Sequence, residues 1–211
     1  MDDAIDLEAA LTVARKAGLT IGFNGWGMAS LNHLHLHLFP EGLLNENLPF
    51  APERNLGDVS VGTLQGDLVG PIVLKGREIP ETVSATERLI TNLLGNEIQH
   101  GVLLTPDQTV TTYAMTSDLS KDTIAILGQR LPVFGGIPFV VNEALWETMT
   151  PDLFVAGMQG IRPDREALLT RFFDEETSRG HLWARDGGLH AVPAARSYRE
   201  TIFQPVTVSS P

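Results

Sequence analysis

The chain has 211 residues and a formal net charge of −11, a balance that argues against a surface built for polymeric nucleic acid. Hydrophobic residues make up 43% and charged residues 19%, as in an ordinary globular domain, and no run of about 18 apolar residues offers a membrane-spanning helix. Cysteine is absent, which excludes disulfides and thiolate metal ligands; the acidic start Met1-Asp2-Asp3 lacks the basic opening of an export signal, so a cytoplasmic protein is expected.

Leu7, Leu11, Val13 and Ala14 recur at helical spacing and predict a helix over Ile5 to Lys16, ended by Ala17-Gly18. A short strand, Leu19 to Phe23, and a glycine turn, Asn24-Gly25-Trp26-Gly27, follow. Ala29 to Phe39 reads as a strand, stopped by Pro40-Glu41-Gly42. Residues 41–58 are rich in Asn, Pro and Glu and read as an irregular loop, functional or acting as a lid. A strand is expected over Val69 to Leu74, then a helix over Pro80 to Leu94 with Leu89, Ile90, Leu93 and Leu94 inward. Ile98 to Leu104 and Thr109 to Met115 predict a hairpin across Thr105-Pro106-Asp107-Gln108. Asp122 to Leu127 fits helix or strand, and Gly135-Gly136-Ile137-Pro138 leads into a strand at Phe139 to Val141. A helix begins at Asn142 to Trp146 and another spans 164–178 from a Pro163-Asp164 start. Residues 1–179 are thus expected to form one α+β domain, and 180–211, rich in Gly, Pro, Arg and Ser, a loosely structured C-terminal arm.

The stretch Asn32-His33-Leu34-His35-Leu36-His37-Leu38-Phe39 holds three of the six histidines. Alternation along a strand turns His33, His35 and His37 to one face and Leu34, Leu36 and Leu38 to the other, which the leucines mark as the core face. Packing gives no reason for three imidazoles in a row. They could be solvent-facing side chains of a structural strand, or metal ligands, or the machinery of nucleophilic attack at phosphorus. As metal ligands they only partly fit a cupin: Gly27 with His33-Leu34-His35 matches the first motif, but Glu41 falls one residue too far. As a nucleophile, a neutral imidazole attacks the α-phosphorus while its neighbours hold phosphate oxygens and protonate the leaving group. Small residues at Gly25, Gly27, Ala29 and Ser30 would let phosphates approach the backbone, and Arg54, Lys75, Arg77, Lys121 and Arg130 could supply part of a donor cluster. Gly66-Asp67-Leu68-Val69-Gly70 and Gly135-Gly136 lack the spacing of a phosphate loop and read as turns. His100 reads as a structural histidine beside a strand start.

The segment from Gly22 to His37 resembles the histidine-triad (HIT) motif, and more closely the GDP-L-galactose phosphorylases within the galactose-1-phosphate uridylyltransferase-like group. Similarity of order extends over roughly residues 5 to 150, with its strongest part at 22–38. The resemblance implies a HIT-like antiparallel sheet with helices on one face. It implies His35 as the nucleophile, His33 as its support and His37 facing the phosphates or leaving group, with Asn24 and Ser30 binding substrate. The implied activity is nucleotidyl transfer or phosphorolysis on a nucleotide-sugar or dinucleoside polyphosphate. The partners are then a small nucleotide and a phosphate or sugar-phosphate acceptor, with no cofactor and no resident metal.

Two departures keep alternatives open. The transferases and phosphorylases of the group usually carry Gln where this chain, like the hydrolase branches, has His37, so HIT-type hydrolysis is an alternative. The family's N-terminal strand pair is also missing from the pattern, which suggests a homodimer, one subunit of a split enzyme, or replacement by the hairpin at 98–115. A cupin-like metal-dependent enzyme is the remaining alternative.

Overall fold

The computed structural model describes residues 6–25, 36–40, 42–115, 147–160 and 162–174. Helix α1 (Leu7–Ala17) starts where the Asp6 side chain accepts the Ala9 amide at 2.9 Å, and it carries Glu8 in its first turn and Arg15 and Lys16 in its last, which suits the helix dipole. It buries Leu7, Ala10, Leu11 and Ala14. The chain then enters β1 (Thr20–Asn24), β2 (Leu36–Phe39), β3 (Phe50–Leu56), β4 (Val59–Leu64) and β5 (Ile72–Lys75). Helix α2 (Ile79–Gly95) follows, with Pro in its first turn, where no amide donor is needed. Strands β6 (Gln99–Leu104) and β7 (Thr109–Met115) form the expected hairpin. Helix α3 (Pro151–Gly160) and helical residues 165–174, termed α4, complete the described chain.

All seven strands pair antiparallel in the order β2-β1-β6-β7-β5-β4-β3. The sheet has two differently covered faces. On one, α1, α2 and α4 bury Leu11, Leu93 and Phe172 against Ile21, Phe23, Leu74, Val102 and Leu104. On the other, Leu103, Tyr113 and Met115 cluster with Leu43, Val69 and Met158 of α3. Helices therefore lie on both faces, where a single helical face was expected. The arrangement is α+β, and among the described residues no helix is long and apolar enough to cross a membrane.

The expected irregular loop over 41–58 is a correction. It contains a 3-10 turn (Leu44–Asn47) and then β3, which pairs with β4 through a two-residue turn at Gly57-Asp58. Gly57 has φ +61° there, a conformation open to glycine. The strand was hidden because it is the sheet's outer edge: Glu53, Arg54 and Asn55 are exposed and need no apolar alternation. Pro52 is tolerated at an edge, beside the register shift between Pro52 and Arg54.

The expected strands and helices at 122–127, 139–141 and 142–146, the part of the histidine strand from 29 to 35, and the arm 180–211 lie outside the described residues.

Candidate functional site

Of the five residues singled out in the sequence, His37 and Asn24 are described, while Ser30, His33 and His35 lie outside the described residues. His37 pairs with Gly22 across the β1–β2 ladder. Alternation puts Gly22, Asn24, His37 and Phe39 on the face of the second apolar cluster. His37 is half-buried and stacks on Phe39, with ring centroids 6.3 Å apart and planes inclined by 18°. Leu36 and Leu38 point to the opposite, helix-bearing face, as the alternation requires. They are nevertheless 46% and 58% exposed. The core role expected of them is corrected by position: β2 is an edge strand, and α1 lies over β1 and β6 instead.

Asn24 ends β1 opposite Gly101. Its Oδ1 is buried and accepts no hydrogen bond among the described residues. The next residue, Gly25, donates its amide to the His100 carbonyl at 2.8 Å. A Cβ on Gly25 would come within 2.3 Å of His100 Nε2, so only glycine lets the ring close against this turn. His100 is fully buried, its Nδ1 3.0 Å from the Ile98 carbonyl and its Nε2 without a partner among the described residues. Burial lowers its pKa, outweighing the Ile98 carbonyl, and the ring is held neutral. The expectation of a satisfied histidine is met at one ring nitrogen and not, among the described residues, at the other.

Arg54 and Lys75 of the expected donor cluster lie on opposite faces of the sheet. Arg54 bonds Glu166 at 2.6 Å and lies 5.2 Å from the Phe173 ring centroid, on the helix-bearing face. Lys75 turns to the other face and bonds Asp107 at 2.6 Å. Lys121 and Arg130 lie outside the described residues. Gly66 to Gly70 forms a turn that binds its own carboxylate: Asp67 Oδ1 accepts the Val69 and Gly70 amides at 2.8 and 3.0 Å, so these donors are not presented to an anion. Asp67 Oδ2 accepts from Asn45 Nδ2 at 2.5 Å and the Tyr113 hydroxyl at 3.1 Å. Burial raises the pKa of Asp67 despite these four donors, and burial together with the Asp67 charge raises that of Tyr113 well above 10.

A cavity of about 360 Å³ went unrecognised in the sequence. It lies on the face shared with His37, between the 3-10 turn and the β6–β7 turn. Cross-strand pairing runs His37–Gly22–Leu103–Thr111, and the last two line the cavity. At about 4.8 Å per strand, Leu103 stands roughly 10 Å from the His37 backbone. Asp107 at its rim accepts from Lys75 and from the Thr105 and Thr109 hydroxyls. Burial alone would raise the Asp107 pKa, but these donors and the ammonium charge outweigh it and lower it to about 2. No signal in the sequence joins Asn45, Lys75 and Thr111, which meet only through sheet order. Among the described residues no group of three or more His, Asp or Glu is arranged to hold a metal ion.

Comparison with models of known families, with curated proteins and with solved structures found no match.

Proposed function

We propose that the chain is a HIT-like cytoplasmic enzyme that transfers a nucleotidyl group through a covalent intermediate on His35. The observation that carries this reading is the β1–β2 ladder, in which His37 and Asn24 share one sheet face. Leu36 follows His35 in the chain and pairs with Phe23, the residue before Asn24. The order helix, strand ending in Gly-Phe-Asn, returning histidine strand also supports it, as does the β6–β7 hairpin lying directly beside β1. In the proposed reaction a neutral His35 nitrogen bonds to the α-phosphorus of a nucleotide-sugar or dinucleoside polyphosphate. The bond from that phosphorus to the bridging oxygen breaks, and His37 gives a proton to the departing phosphate. Phosphate, a sugar phosphate or water then displaces His35 from phosphorus. Asn24 and Ser30 orient phosphate oxygens, and His33 supports the strand.

Intact-protein mass spectrometry after brief incubation with nucleotide-sugars and dinucleoside polyphosphates tests this. The expected result is a mass gain of one nucleoside monophosphate in the wild type and none in His35→Ala. Full turnover by His35→Ala, or turnover with no adduct trapped under acid-free quench, sinks the proposal.

A further inference from the structure

The cavity beside the β6–β7 turn has a chemistry of its own. One wall is apolar, formed by Leu48, Phe50, Leu64 and Leu103. The other is polar. Asp107 is locked by four hydrogen bonds, from Thr105 Oγ1, Thr109 N, Thr109 Oγ1 and Lys75 Nζ. Lys75 has used one of its three N–H donors on Asp107, and two remain. The Asn47 amide and the Thr111 hydroxyl line the same space and make no hydrogen bond among the described residues. Asn47 adds two donors and an acceptor, Thr111 a donor and acceptor.

Charge decides against an anion. Among the described residues Lys75 is the one cation in the lining and is neutralised by Asp107, and Glu46 adds a further negative charge. A phosphate entering would meet no uncompensated positive charge. A ligand suited to the site is neutral, presents alternating donors and acceptors along one edge, and shows a C–H face to the apolar wall. The size is within the range of small-molecule pockets. We infer that this cavity binds a neutral sugar ring, whose vicinal hydroxyls bridge Thr111, Asn47 and the Lys75–Asp107 pair while its C–H face rests on Phe50 and Leu103. This assignment does not depend on the histidine chemistry, because it concerns binding alone.

Saturation-transfer NMR on the full chain tests it with free hexoses, pentoses and nucleosides as separate probes and inorganic phosphate as a competitor. At least one free sugar is expected to bind with a Kd on the order of millimolar, as suits a small ligand held by a few hydrogen bonds. Phosphate should not displace the bound sugar at the same concentrations. Thr111→Val, isosteric and at a hydroxyl with no hydrogen-bond partner among the described residues, should leave the fold intact and weaken the sugar by about tenfold, the equivalent of one lost hydrogen bond. Asn47→Ala, at an exposed position, should weaken it similarly. The inference is overturned if no sugar binds, if phosphate or a nucleoside displaces every sugar that binds, or if both variants bind sugar as the wild type does.

Discussion

Tyr113 is fully buried, and its hydroxyl donates to Asp67 Oδ2 while accepting from Asn45 Nδ2, each at 3.1 Å. These three residues tie β7, the turn before β5 and the 3-10 turn into one polar knot under the cavity. Low dielectric makes each bond in such a knot matter, since any orphaned group stays away from water. Tyr113→Phe keeps the ring packing and removes a donor from Asp67 and an acceptor from Asn45. It should cost about 1–2 kcal/mol, read as a lower urea midpoint at unchanged m-value. Asp67→Ala should cost more, because the Val69 and Gly70 amides lose their acceptor as well. A Tyr113→Phe midpoint equal to wild type would show the knot to be without energetic weight. None of this was legible in the sequence, where Asp67 read only as part of a glycine turn and its partners lie 22 and 46 residues away. The side-chain alternation around His37 was legible, because period two is a property of the strand itself. The exposure of Leu36 and Leu38 was not, because it depends on which strand ends the sheet.

Among the elements, α4 shows how a helix predicted from pattern docks through a residue that pattern does not single out. Leu168, Leu169 and Phe172 are buried, as its spacing requires. Its first residue, Arg165, reaches back to the sheet and is only 12% exposed. Nε donates to the Pro71 carbonyl at 3.2 Å, Nη2 to the Gly62 carbonyl at 2.8 Å, and Nη1 to Glu53 Oε1 at 3.1 Å. Glu53 is the residue skipped by the β3–β4 register, and the bulge aims it at the guanidinium. Gly62 admits the crowded backbone beside it: a Cβ there would lie 2.0 Å from the Ala51 carbonyl oxygen. One planar side chain thus satisfies two carbonyls and one carboxylate on β3, β4 and the approach to β5. Arg165→Met should destabilise by about 2–3 kcal/mol, as loss of charge-assisted hydrogen bonds does. Arg165→Lys should recover only part, since a point charge cannot reach three acceptors set in a fork. Thermal unfolding of the three proteins gives the order; a lysine variant matching wild type would show the fork to be unnecessary. The edge strand β3 was missed for a related reason. At an edge, sequence answers to solvent and to one distant arginine, and the apolar period disappears.

At the scale of the whole molecule, stability should fall on the acid side of neutrality through His100. The ring sits in the core of the helix-covered face, packed against Gly25 at the joint where β1 runs on toward the histidine stretch. Burial lowers its pKa below the ordinary value of 6.5. The unfolded chain therefore binds a proton below pH 6.5 that the folded chain does not, and unfolding becomes easier as the pH drops. The contribution is complete above pH 6.5 and declines below it, by up to about 1.4 kcal/mol per pH unit, until the folded pKa is reached. Carboxylates act with both signs. Asp107, lowered to about 2, adds stability that is present above 3.8 and lost as the pH falls toward 2. Asp67, raised, opposes it: the folded state holds its proton longer, so stability falls as the pH rises above 3.8. Comparison with a variant that lacks the imidazole separates His100 from them. His100→Phe removes the titration and keeps an aromatic ring against Gly25. Urea unfolding between pH 7.5 and 5 should give a wild-type curve that drops relative to the variant as the pH falls, whatever the offset at pH 7.5. Parallel curves would mean that the folded and unfolded chains bind the imidazole's proton alike, and that burial does not lower its pKa.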